Sequence, residues 1–192
     1  MTGSMKNPKL FAFASPSGGG KTSIIKPLLQ KYSDFEFSVS ATTRGMRPGE
    51  VNGKDYFFLT KEEFEGLIAS GGFVEHEFFF DTHYGTLKRE VDRALAAGHS
   101  MIFDVDVKGA LSIRRMYPNE SVLIFIAPPS LEILEQRLRN RKTEDDAKIR
   151  KRLQRAAMEM ETGKQFDVTV VNDVLEKAIT DVDTIITEHI TS

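Results

Sequence analysis

An apolar run, Leu10-Phe11-Ala12-Phe13-Ala14, gives way to Ser15-Pro16-Ser17-Gly18-Gly19-Gly20-Lys21-Thr22, and a helical pattern follows from Ile24 to Tyr32. A strand feeding a tight glycine loop and then a helix N-terminus gathers backbone N–H groups at one point, with the positive end of the helix dipole behind them. Lys21 adds a positive charge and Thr22 a hydroxyl able to sit on a hard cation. This chemistry suits a polyphosphate, and the spacing follows G-x-x-x-x-G-K-[ST] everywhere except its first position, where Ser15 replaces glycine. Pro27 falls inside the helix, so a bend or a delayed start is expected there.

The rest of the chain alternates strand and helix patterns, which implies a parallel sheet. Short β-like stretches at Phe35 to Ser40, Tyr56 to Leu59 and Phe73 to Phe80 are broken by Gly45, Gly49, Gly53 and Gly71-Gly72, and read as a small β-rich insertion. Helical segments are expected at Lys61 to Ser70 and Leu87 to Ala97. Further strands are expected at Met101 to Asp104, Val122 to Ala127 and Val168 to Val171, a long helical stretch at Ser130 to Thr162, and a closing helix at Leu175 to Ile190. The 192 residues suit one hydrophobic core. No uncharged apolar run approaches the roughly 18 to 20 residues that span a bilayer, and the start lacks a secretory pattern, so a cytoplasmic location away from membranes is expected. Zero cysteines exclude disulfides, thiolate metal ligands and cysteine nucleophiles. A net charge of -2 gives no global attraction to a nucleic-acid polymer, so any phosphate site must be local.

Asp104 closes an apolar strand, the placement of a carboxylate that helps hold Mg²⁺ beside a phosphate loop, with Asp106 two residues on. Arg44 and Arg47 lie three apart, with Tyr56 and Tyr84 nearby in the pattern. Planar cationic forks with neighbouring hydroxyls suit a monophosphate.

The stretch Phe37 to Tyr56, with Ser40-Ala41-Thr42-Thr43-Arg44 and Arg47-Pro48-Gly49-Glu50 at its centre, resembles the acceptor segment of guanylate kinases. The likeness continues through Gly72-Phe73-Val74-Glu75, His83-Tyr84-Gly85-Thr86, Phe103-Asp104-Val105-Asp106, Ala127-Pro128-Pro129-Ser130 and Val171-Asn172-Asp173, and so covers nearly the whole chain. The resemblance implies transfer of the γ-phosphoryl of ATP to GMP, with dGMP as a second acceptor and Mg²⁺ as cofactor. It also implies a three-layer P-loop NTPase fold with a parallel central sheet, a mixed β-rich GMP-binding insertion and a helical lid. The corresponding division is 8–38, 98–130 and 163–192 for the core, 39–97 for the GMP region and 131–162 for the lid.

By the same resemblance, ATP is held by Ser15, Pro16, Ser17, Gly18, Gly19, Gly20, Lys21, Thr22 and Ser23, with Asn172 near the adenine, and Mg²⁺ by Thr22 and Asp104. GMP is held by Ser40, Arg44, Arg47, Tyr56, Glu75, Tyr84, Thr86 and Asp106. Guanine offers adjacent N1–H and N2–H donors where adenine does not, so Glu75 fits the base-reading position. Lys21, Asp104 and the lid arginines Arg137, Arg141 and Arg152 are implied in catalysis. Arg139, Arg150 and Arg155 read as surface charges, the histidines as incidental, and Phe78-Phe79-Phe80 as packing against the hinge of the insertion. Two rivals remain: a protein-binding module of the same fold, and a P-loop kinase for AMP or UMP.

Overall fold

The computed structural model describes residues 7–79, 81–140 and 146–191. The chain runs β1 (Leu10–Ala14), α1 (Lys21–Lys31), β2 (Glu36–Phe37), β3 (Ala41–Thr42), β4 (Phe57–Phe58), α2 (Lys61–Ala69), β5 (Phe73–Phe79), β6 (Thr82–Leu87) and α3 (Lys88–Ala96). It continues through β7 (Met101–Asp104), α4 (Val107–Met116), β8 (Ser121–Ala127), α5 (Leu131–Asn140), α6 (Asp146–Gly163), β9 (Val168–Val171) and α7 (Leu175–Thr191).

Five strands form an all-parallel sheet in the order β2-β7-β1-β8-β9. Its three middle strands are apolar without alternation, as a sheet covered on both faces requires. The two-residue period instead sorts side chains between two cores. Leu10, Ala12, Ala14, Phe103, Leu123 and Phe125 face α3 and α4, packing with Val91, Ala94, Ala110 and Ile113. Phe11, Phe13, Ile102, Ile124 and Ile126 face α1 and α7, packing with Ile24, Leu28, Val182 and Ile186. The result is the expected three-layer α/β architecture. It sets the loops after β1, β7, β8 and β9 along one rim, where parallel sheets bind ligands.

The second sheet, in the order β4-β3-β6-β5, is mixed: β3 pairs with β4 in parallel and with β6 antiparallel, and β5 pairs with β6 antiparallel. Its small core joins Ala41, Phe64, Phe73 and Leu87. A capping box starts α2, in which the Thr60 side chain accepts from the Glu63 backbone while Glu63 reaches back to the Thr60 N–H. The helix pair α5 and α6 has its own core of Leu134, Leu138 and Ala156. Gly163 ends α6 against the sheet, where a Cβ would lie 2.6 Å from the Phe125 ring.

Several expectations need correction. The helix α1 starts at Lys21 and runs through Pro27 without interruption. The ring forfeits a bond to the carbonyl of Ser23, an exposed residue where water can substitute. The strands β2 and β4 shrink to two residues each. The strands β3 and β6 and the helix α4 lie outside the expected elements, and the long helical stretch divides into α5 and α6. Of the expected hinge packing by Phe78-Phe79-Phe80, Phe78 is instead 59% exposed, its ring 4.6 Å from His83, and the Phe79 side chain and Phe80 lie outside the described residues. No helix among the described residues is long and apolar enough to cross a membrane.

Candidate functional site

The phosphate loop occupies the turn between β1 and α1. Gly18 and Gly20 take φ values of 93° and 89°, in the left-handed region that glycine enters at least cost. The Gly19 N–H donates to the Pro16 carbonyl at 2.8 Å, closing the turn. Ser15, at the position where the motif has glycine, packs its side chain onto Gly19: a Cβ at residue 19 would lie 2.9 Å from the Ser15 Cβ. The space that a first glycine leaves open is thus filled by Ser15, with Gly19 yielding the room.

Lys21 opens α1 and turns back over the loop, its ammonium 2.7 Å from Asp104 Oδ1 and donating to the Val105 carbonyl at 2.5 Å. The cation is therefore preset between the loop and the end of β7. The residues from Ser15 to Ser23 line a hollow of about 270 Å³. A neighbouring cleft of about 950 Å³ is bounded by Ser17, Lys21, Asp104 and Asp106 on one side and by Arg152 and Arg155 of α6 on the other. Thr22 and Asp104 bring a hydroxyl and a carboxylate, the hard oxygen donors Mg²⁺ takes. No group of three or more His, Cys, Asp or Glu residues able to hold a metal occurs among the described residues. A cation shared with substrate phosphates and water needs no such cage.

Asn172, at the end of β9, is buried, and its side-chain amide donates to the Gly19 carbonyl at 2.8 Å. The resemblance sets this residue beside adenine. In the structure its amide braces the phosphate loop, so closely that a Cβ on Gly20 would lie 2.3 Å from Nδ2. Its backbone carbonyl accepts from Arg137 Nη2 at 2.9 Å, tying α5 to the same point. Arg152 donates to Ser17 Oγ at 3.1 Å. Arg141 lies outside the described residues.

At the second sheet, Arg44 forms a two-pronged pair with Glu50, Nη2 to Oε1 at 2.7 Å and Nη1 to Oε2 at 3.0 Å. Glu50 also accepts from the Arg47 backbone at 2.7 Å. The Arg44 guanidinium lies 5.1 Å from the centre of the Tyr56 ring, which meets Tyr84 edge-on at 6.2 Å. Arg44, Tyr56 and Tyr84 thus converge, and the Arg47 backbone is fixed beside them. The anchor sequence reading missed is Glu50, whose carboxyl is held down to about 2, first by Arg44 and then by the Arg47 N–H. Its place three residues after an arginine was the available signal.

Glu75 on β5 faces Thr86 on β6, whose hydroxyl donates to Glu75 Oε1 at 2.7 Å. Burial pushes the Glu75 carboxyl up; the Thr86 hydroxyl opposes this and the charge of Asp106 adds to it. Asp106 caps α4, its Oδ1 accepting from the Gly109 N–H at 2.7 Å. A Cβ on Gly109 would meet both Asp106 Oδ1 and Glu75 Cγ within 3.5 Å, which puts the two acids against the same helix turn. Ser40 joins β3 to β4 through its carbonyl, which accepts from Phe57 at 2.9 Å.

The family model described as guanylate kinase matches residues 7–189. The chain belongs to the guanylate kinase family. It is 50% identical over 182 residues to a guanylate kinase of Chlorobium chlorochromatii, covering 95% of this chain and 96% of that one. A guanylate kinase of Sus scrofa is 44% identical over 178 residues, covering 91% and 89%. The crystal structure of guanylate kinase from Anaplasma phagocytophilum superposes with a TM-score of 0.75 at 30% identity, over 97% of this chain and 88% of that one. Of the arginines expected to be surface charges, Arg155 is the one whose setting differs. Instead of a plain surface charge, it lines the cleft, 3.6 Å from Asp106.

Proposed function

We propose that this guanylate kinase transfers the γ-phosphoryl of ATP to GMP by holding the donor on the β1–α1 loop and the acceptor on the second sheet, with 39–97 as the acceptor region and 131–162 as a lid. The observation that carries this reading is the position of Lys21 and Asp104, in ion-pair contact at the mouth of a cleft whose far wall is the arginine-bearing α6. Loop N–H groups from Gly18 to Thr22 receive the donor phosphates, and Lys21 bridges toward the transferring group. Thr22 and Asp104 would hold Mg²⁺, partly through water, which supplies positive charge to the donor phosphates when bound.

On the acceptor side, Arg44 and Arg47 take the GMP phosphate together with the hydroxyls of Tyr56 and Tyr84, and Glu50 keeps the Arg44 fork in plane before the substrate arrives. Glu75, ionised, accepts from the guanine N1 and N2 donors, with Asp106 alongside. Ser40 and Thr86 serve the O6 side. An oxygen of the GMP phosphate forms the new bond to the γ-phosphorus as the bond to the β,γ-bridging oxygen breaks, giving GDP and ADP. Protein catalysis of this step is alignment and charge placement. Arg137, Arg141 and Arg152 supply charge from the lid, and closure excludes the water that would otherwise accept the phosphoryl group.

The test is ADP release with GMP, dGMP, AMP, UMP and no acceptor. Activity with GMP, less with dGMP and little with the rest is expected. No activity with any acceptor would favour a binding module, and a preference for AMP or UMP would remove Glu75 from base reading.

A further inference from the structure

The helix α6 sends one cation past the phosphate loop to the acceptor side. Arg155 donates from Nε to Glu159 Oε1 at 2.8 Å, and its Nη2 lies 3.6 Å from Asp106 Oδ2. Glu159 is buried, so Arg155 is held from behind by a carboxylate that leaves its outer edge toward Asp106. Asp106 has one oxygen committed to the Gly109 N–H and turns the other to this arginine. Glu75 stands against the same turn of α4, and the negative charge of Glu77 on β5 also acts on both Glu75 and Arg155. Three carboxylates therefore crowd one corner, and α6 delivers a cation to it.

We propose that Arg155 is a positioning residue that couples docking of α6 over the donor to binding of GMP, by holding Asp106 in place beside Glu75. The proposal rests on the reading above that Asp106 belongs to the guanine site. The same helix carries Arg152 to Ser17 of the phosphate loop, so a loaded donor site favours docked α6. Docked α6 places Arg155 at Asp106 and relieves repulsion among the acids that GMP must meet. Linkage makes the effect reciprocal, so donor and acceptor tighten each other's binding by one shared factor. Arg155 is half exposed and the contact to Asp106 is long, which limits that factor to about twofold to fivefold.

The test is calorimetric GMP affinity with and without a non-hydrolysable ATP analogue, the ratio of the two measuring the coupling. The pair Arg155→Gln with Glu159→Gln removes the cation without stranding the buried carboxylate, and Glu159→Gln alone is its control. The ratio should exceed one in the unaltered protein, persist in Glu159→Gln and in Arg155→Lys, and fall by about twofold to fivefold in the double variant. An unaltered ratio of one, or a double variant equal to Glu159→Gln, overturns the coupling. Asp106→Asn separates the two claims. If it leaves GMP affinity unchanged, the placement of Asp106 in the guanine site fails; if it weakens GMP while the double variant keeps its ratio, only the role of Arg155 fails.

Discussion

Asn172→Ala tests whether the phosphate loop is braced from β9. The side-chain amide is the donor to a buried Gly19 carbonyl at 2.8 Å, and truncation leaves that carbonyl without it. An orphaned buried acceptor costs about 1–3 kcal/mol. For a domain of this size each kcal/mol lowers Tm by about 2–4 °C, so a fall of about 2–12 °C is expected. If the whole cost falls on the loop conformation that receives phosphates, the competent fraction drops and ATP affinity weakens by about 5- to 150-fold. The Arg137 bond goes to the Asn172 backbone carbonyl and survives the change, so KM for GMP should stay within about twofold. Asn172→Asp should be worse than Ala, because it sets a carboxylate oxygen against the carbonyl and negative charge beside the phosphates. The assay pairs thermal unfolding with KM for ATP and for GTP as donors. A brace weakens both donors alike. A loss confined to ATP would show that Asn172 acts on adenine, and an unchanged Tm and KM for ATP in Asn172→Ala would refute the reasoning altogether.

Other outcomes follow from the same geometry. If Lys21 serves the donor phosphates as proposed, Lys21→Met should lower kcat by at least about 100-fold while GMP still binds by calorimetry; loss of GMP affinity would contradict this division. On the proposed role of Glu75 its raised carboxyl must be ionised to accept from guanine, so KM for GMP should climb as pH falls through a value above the ordinary carboxylate range. Glu75→Gln should flatten that limb, and a limb that persists in the variant assigns it to another group. Glu50, held down to about 2, stays ionised as its unfolded counterpart protonates near pH 4.5, so its pairing with Arg44 adds stability above that pH and loses it only as pH falls toward 2. Glu50→Gln should therefore reduce the acid dependence of Tm between about pH 4.5 and 2 and raise KM for GMP, while an unaltered acid profile would deny the pairing any role. Gly163→Ala drives a Cβ to 2.6 Å from the Phe125 ring, and overpacking of about 1–3 kcal/mol should lower Tm by about 2–12 °C; an unchanged Tm would mean that α6 shifts freely at its base.

The parallel core was legible because each of its central strands is an unbroken apolar run and the first of them ends in a glycine loop with one lysine. Those signals are local, and β1, β8 and β9 fall where they were expected. The strand β6 was hidden because Thr82-His83-Tyr84-Gly85-Thr86 has no alternating apolar pattern; its pairing with β5 and β3 supplies what its own side chains lack. The helix α4 follows Asp104 so closely that Asp104 and Asp106 read as one acidic pair, although Asp106 is a helix cap that accepts from a backbone N–H three residues on.

The site divides along the same line. Lys21 announces itself by a charge after three glycines that packing does not explain, whereas Asp104, Arg44 and Glu75 stand out only once the family motifs around them are matched. The contacts of Glu50, Asn172 and Arg155 are not legible in either way, because each acts through a partner far from it in function or in sequence. Glu50 reads as a loop acid until its two oxygens are seen on Arg44 and the Arg47 N–H. Asn172 reads as a turn residue until its amide is found 153 positions away on Gly19. Arg155 is an ordinary helix-surface pair with Glu159 at i+4 until the fold brings Asp106 to its other side. A residue that touches substrate carries its chemistry in its own side chain, whereas one that holds such a residue in place carries it only in a distance, and distances between separate elements are what folding adds to the sequence.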